Sequence, residues 1–176
     1  LHTLLRRQRQ MCIRDRDIYD FYLLKNNLRV LDMLNVKYII DLNESGNIEL
    51  KTNEDVMGSA WFVDEVQKVT DSNQELLGLS SLDYNKTCLS SDLNNKTYPD
   101  SSKNYIEIVD KRANQITYKV FSNDTGFIVF SEAFYKNGWV AKINGEITDH
   151  YKVNYLLRGL EAVSYTHLRA HETMAH

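Results

Sequence analysis

GFIVFSEAFYKNGWVAKINGEITDHYKVNYLLRGL, residues 126–160, packs three or four strand signals and one clear turn into a short stretch. Phe127, Ile128, Val129 and Phe130 form an unbroken apolar run, the pattern of a strand covered on both faces or lying near the centre of a sandwich. Lys136-Asn137-Gly138 supplies turn chemistry, because Asn and Gly tolerate positive φ. Trp139 to Ile143 resumes β-prone sequence and runs into Asn144-Gly145, the dipeptide best suited to a two-residue type I′ hairpin. Glu146 to Val153 is then the returning strand. Tyr155, Leu156, Leu157 and Leu160 predict one more strand, which at period two puts Asn154 and Arg158 on the side of Leu156.

Upstream of this stretch the pattern continues. Tyr105 to Val109 and Ile116 to Phe121 both alternate, as half-buried antiparallel strands do, with Arg112-Ala113-Asn114 as the turn between them. Ser90 to Lys103 is polar, contains Pro99, the sole proline, and reads as an exposed mobile loop. Thr87-Cys88-Leu89 predicts an edge strand. Asp71 to Glu75 is a helix-start signature before Leu76, Leu77 and Leu79, worth about two turns. Ala60 to Val66 is a strand rich in aromatic and β-branched residues. Leu24, Leu28, Leu31 and Leu34 recur at helical spacing and predict a short helix over 27–34, with Asn35 as its stop. Val36 to Ile40 then reads as a buried strand and Ile48 to Leu50 as a small one. The fold class expected is mainly β, α+β at its N-terminal side: an antiparallel, jelly-roll-like β-sandwich with two short helices.

The two ends differ in composition from the body. Residues 1–16 hold five arginines against one aspartate, and the chain opens on Leu1 rather than Met. MCIRDR near the start, and VSYTHLRAHET from Val163 to Thr173, resemble translated sequencing adapter that recurs in metagenomic assemblies. Residues 1–16 and 162–176 are therefore set apart as non-native tails around a single domain, 17–161. That domain holds 15 Lys and Arg against 22 Asp and Glu, a net charge of −7. Such an acidic body is a poor nucleic-acid binder. Of the histidines only His150 lies in the body, so no metal site is expected, and Cys88 has no partner within the body for a disulfide. Apolar runs fall far short of the roughly 20 residues that cross a bilayer.

No residue pattern specifies a catalytic group or a cofactor. Glu132 with Asp149, or Asp64 with Glu65, are acid pairs of the kind any chain with 26% charged residues offers by chance. Ser131-Glu132 lacks the Gly-x-Ser-x-Gly elbow. The candidate site is one of binding. Tyr135 and Trp139 flank the 136–138 turn as stacking faces for a sugar ring, with Glu132, Asn154 and Arg158 as hydrogen-bond partners. The plainer account has Trp139 in the sandwich core and Arg158 paired with an acid.

Taken together, LDMLNVKYII (31–40), AWFV (60–63), FIVFSEAFYKNGWVAKINGE (127–146) and VNYLLRGLE (153–161) resemble the extracytoplasmic C-terminal region of bacterial YfhO-type membrane proteins, especially those of Bacteroidetes. The resemblance implies a polytopic parent related to glycosyltransferases that use polyprenyl-phosphate sugars to decorate cell-envelope polymers. It implies a catalytic acid outside this stretch and a transmembrane region as partner. It also implies a location on the outer face of the membrane, and a role in positioning an acceptor glycan or lipid-linked sugar. In the family pattern a further strand follows VNYLLRGLE, where this sequence departs into its tail, so one strand of the sheet is expected to be missing. The alternative is a free-standing carbohydrate-binding or adhesive module.

Overall fold

The computed structural model describes residues 16–22, 28–43, 45–136, 138–163 and 166–172, the last by backbone alone. Expectations resting on 1–15, 23–27, Asn137 and 173–176 fall outside these residues. The elements are α1 (residues 16–21), α2 (Val30–Met33), β1 (Tyr38–Leu42), β2 (Ile48–Thr52), β3 (Ala60–Val63), β4 (Glu65–Lys68), α3 (Ser72–Gly78), β5 (Thr87–Ser90), β6 (Lys96–Thr97), β7 (Tyr105–Arg112), β8 (Gln115–Phe121), β9 (Gly126–Ala133), β10 (Trp139–Ile143), β11 (Glu146–Thr148), β12 (Tyr151–Val153), β13 (Leu157–Ala162) and β14 (Thr166–Glu172).

Two layers stack on the faces of one central sheet. The central sheet has the order β12-β13-β9-β3 and is antiparallel throughout. Because successive residues of a strand face opposite ways, its strands feed two separate cores. Trp61, Val63, Phe127, Val129 and Leu157 join one core with Val66, Cys88, Leu89 and the helical residues Ile18, Val30 and Met33. Phe62, Ile128, Phe130 and Leu160 join the other, with Ile116, Tyr118 and Val120 of β8 and Ala141 of β10. The apolar run 127–130 is thus covered on both faces, as its sequence predicts. The second core is closed by a five-stranded sheet, β11-β10-β14-β8-β7, which makes the sandwich. The first is closed by the helices and a small sheet, β5-β4-β6.

The Asn144-Gly145 turn forms as read: Ile143 faces Glu146 across it, with φ of 52° and 95° at the two turn residues. Asp71 caps α3, its Oδ1 accepting from Gln74 N at 2.9 Å, and the helix runs two turns. Asn35 ends the α2 turn with φ of 56°.

Several expectations are corrected. The returning strand after the hairpin splits at Asp149-His150 into β11 and β12, which belong to different sheets. Ala60 to Val66 divides in the same way at Asp64, with β3 in the central sheet and β4 in the small one. The small sheet also includes a parallel pair, β4 with β5, joined through α3. Ser90–Lys103 is not a bare loop: it carries β6, buries Tyr98, and its Ser101 donates to Asp64 at 2.6 Å from Oγ. The helical face near the N-terminus is Val30, Leu31 and Met33, while Leu28 is exposed. The strand at 38–42 is not buried, for among the described residues it pairs with β2 alone in a two-stranded hairpin. Tyr38, Ile40, Leu42, Ile48 and Leu50 of that hairpin are 56 to 77% exposed. Finally, Thr166–Glu172, from the stretch set apart as a tail, occupies the middle of the five-stranded sheet, between β10 and β8.

Candidate functional site

Three of the five candidate residues meet. β13 pairs with β9 so that Leu157 faces Ala133 but Arg158 faces Phe130, which leaves Ser131 and Glu132 as a bulge in β9. Ser131 N donates to Ser59 O at 3.1 Å and fixes the bulge to the segment before β3. Glu132 then stands beside Arg158, whose Nη2 donates to its Oε2 at 2.5 Å. Tyr118, on β8 of the facing sheet, donates its hydroxyl to Glu132 Oε1 at 2.7 Å. The Arg158 guanidinium carbon lies 4.3 Å from the Trp139 ring centre and 5.2 Å from that of Phe130, both within cation–π range.

The cluster is an ion pair set between two sheets. The Arg158 side chain is 2% exposed and that of Glu132 19%, so the guanidinium is enclosed and the carboxylate stands at the rim. Burial, followed by the Glu132 charge, pushes the Tyr118 hydroxyl well above its usual range, which keeps it a donor. One Glu132 oxygen accepts from Tyr118 and the other from Arg158. Arg158 Nε is buried and has no partner among the described residues, and the same holds for His150 Nε2. His150 sits at the sheet switch between β11 and β12, its ring 5.4 Å from Phe134. Burial first, and then the Arg158 charge, lower its proton affinity.

The other two candidates lie apart. Tyr135 packs over Gly138: a Cβ built on that glycine would stand 1.7 Å from Tyr135 Cδ1, so the turn needs a residue with no side chain there. Asn154 does not share a strand face with Arg158, because residues 154–156 form a turn and φ is positive at both Asn154 (49°) and Tyr155 (69°). The period-two expectation fails at that turn. Asn154 is fully buried and mimics a strand residue toward β5: its Oδ1 accepts from Leu89 N at 2.9 Å and its N donates to Leu89 O at 2.8 Å. It joins the central sheet to the small one, on the core opposite to that of Arg158.

Beside that joint lies a buried pair the sequence does not announce. Glu75 accepts from Lys152 Nζ at 2.7 Å, from Ser91 N at 2.6 Å and from Tyr155 N at 3.1 Å, and Lys152 also donates to Ser72 Oγ at 2.6 Å. Glu75 falls on a helical position of mixed character, and nothing in its local pattern marks it as buried. Tyr118 was more accessible to reasoning: a tyrosine alternating with Ile116 and Val120 on an inner face needs a buried partner for its hydroxyl.

Among the described residues, no group of three or more His, Cys, Asp or Glu is placed to hold a metal ion. An open cleft of about 650 Å³ lies elsewhere, lined by Arg29, Asp32, Glu54, Asp55, Trp61 and Tyr84 among others, and shares no residue with the Arg158 cluster. No helix among the described residues is long and apolar enough to cross a membrane. Comparison with protein-family models, with curated proteins and with solved structures finds no match for this chain.

Proposed function

We propose that the chain is a non-catalytic, extracytoplasmic β-sandwich domain of a YfhO-like envelope membrane protein, and that it positions an acceptor glycan or lipid-linked sugar for a membrane-embedded glycosyltransferase. The observation that carries the reading is the β1–β2 hairpin. Five large apolar side chains share one uncovered face of a two-stranded ribbon. A ribbon of that kind is marginal alone in water, and an exposed contiguous apolar patch marks a contact with something larger. A domain resting against a transmembrane region has such a contact. The cluster of Trp139, Arg158 and Glu132 supports binding over acid–base chemistry, because both Glu132 oxygens are engaged by donors.

The free-standing carbohydrate-binding module remains the second reading, favoured by Trp139, which lies against the Arg158 guanidinium beside the rim carboxylate of Glu132. The hairpin separates the two. Detergent micelles or zwitterionic nanodiscs should retain the chain, and the double variant Ile40→Ser/Leu50→Ser should lose that retention without losing stability. A chain that ignores both micelles and nanodiscs would remove the membrane-associated reading. Binding to an array of envelope glycans and lipid-linked sugars, lost on Trp139→Ala with the fold intact, is the result expected for the positioning role. Absence of binding across that array would leave a purely structural part of the assembly.

A further inference from the structure

Among the described residues, the five-stranded sheet is continuous only through its middle strand. β14 pairs with β10 from Trp139 to Ile143 and with β8 from Gln115 to Val120. With β14 withdrawn, the sheet becomes two hairpins, β10–β11 and β7–β8, facing each other across a gap one strand wide. Each lip of that gap is a row of backbone N–H and C=O groups, and such rows recruit an extended chain. The floor is apolar. Ile116, Tyr118 and Val120 on one lip and Ala141 on the other are buried, packed with Phe62, Ile128, Phe130 and Leu160 of the central sheet.

Register states what the gap asks of its occupant. Position 170 stands opposite Ile116 and Ala141, position 168 opposite Tyr118 and Ile143, and position 166 opposite Val120. Directly opposed residues share a face, so the demand is for apolar or small residues at alternate positions and for nothing particular between them. Thr166, Leu168 and Ala170 meet that demand, although the stretch they belong to differs in character from the body of the chain.

We propose that the gap between β8 and β10 is a strand-acceptor site whose ligand is an extended peptide with apolar residues at alternate positions. Thr166–Glu172 fills it as a strand donated by the chain itself and exchangeable for another segment of the same pattern. The donor arrives from β13 of the central sheet across a short connection and is held by its two ladders. Its occupancy also assembles the Arg158 cluster. Trp139 lies on β10 opposite Glu172 and Tyr118 on β8 opposite Leu168, so β14 brings together, from two separate hairpins, groups that flank Arg158 and Glu132.

The test uses the full chain with a site for a sequence-specific protease placed in the connection at 163–165, cut after folding. The cut segment should stay with the body on gel filtration, and an excess of fluorescein-labelled synthetic peptide of residues 163–176 should replace it. The same peptide carrying Leu168→Asp should incorporate at least about tenfold less, because it puts a charge at the register position opposite Tyr118 and Ile143, where the pattern calls for an apolar residue. Equal incorporation of the two peptides overturns the proposal, as does a segment that never exchanges. It is equally overturned if the segment leaves while amide protection in β8 and β10 stays as in the uncut chain. Should cutting unfold the protein, hydrogen exchange on the uncut chain with Leu168→Asp decides. Joint loss of protection in β14, β10 and β11, with β9 and β13 retained, is expected; a uniform loss, or none, refutes the site.

Discussion

Arg158 brings a full charge into the space between two sheets, and its removal should leave Glu132 facing apolar groups with Tyr118 alone for company. Breaking one side of an enclosed ion pair costs about 3–5 kcal/mol, whereas replacing both sides with apolar groups of similar volume is often neutral. Glu132 is partly exposed, so the lower end applies: Arg158→Met should lower unfolding free energy in urea by about 3 kcal/mol. The double variant Arg158→Met/Glu132→Leu should recover most of it. A single variant as stable as the parent would show that the pair contributes nothing. His150 offers a second test, by pH. Its proton affinity is lowered in the fold, chiefly by burial and then by Arg158, against a smaller opposing pull from Asp149. As pH falls through about 6.5, the unfolded chain takes up this proton before the folded one does, so stability is lost from there down to the folded value and no further below it. His150→Gln should flatten that part of the stability profile, and an unchanged slope would remove His150 from the account. At this scale the sequence placed Glu132, Trp139 and Arg158 together. It misplaced Asn154, because two successive residues with positive φ, one of them Tyr155, break a period that only a continuous strand preserves.

Elements were legible where a local rule decides them and illegible where a distant partner does. The Asn144-Gly145 hairpin and the Asp71 cap depend on backbone geometry within a few residues, and both stand as read. The splits at Asp64 and at Asp149-His150, by contrast, send a single β-prone run into two sheets, and nothing local marks them. The hairpin at 38–52 shows the converse error. Its β-branched and apolar residues read as buried because burial is what such residues usually find, yet among the described residues their only ladder is with each other. What locks α3 and the small sheet to the central sheet is also non-local. Glu75 satisfies the backbone N–H of Ser91 and Tyr155 together with the Lys152 ammonium, all with side chains at most 6% exposed for the ion pair. Glu75→Ala removes the acceptor shared by three donors and leaves the Lys152 ammonium buried without its counter-charge, so by the cost of breaking one side of a buried ion pair it should lower stability by about 3–5 kcal/mol. Glu75→Gln, which keeps the shape and an acceptor, should cost less. Equal costs for the two variants in urea unfolding would mean that packing, not the polar network, makes the connection.

For the whole molecule, the division into two cores by one central sheet sets an order of stability. β9 and β13 are paired on both edges and covered on both faces, so opening them requires both cores to open. Among the described residues β1 and β2 are paired with each other alone and bury little. Local openings draw on regions with few buried contacts, and central strands exchange near the global unfolding free energy. Native-state hydrogen exchange should therefore find β9 and β13 amides the slowest, β7 and β11 at the sheet edges faster, and the β1–β2 ladder nearly unprotected. Ile40→Ser should change the unfolding free energy by less than the ~0.5 kcal/mol typical of surface sites, since its side chain is 73% exposed. The same apolar face held against a partner would behave differently: the β1–β2 amides would slow, and Ile40→Ser would speed them again without touching β9. Slow exchange in β1–β2 for the isolated, monomeric chain would instead mean that the hairpin folds back on its own body, and the reading of that face as a contact surface would fall.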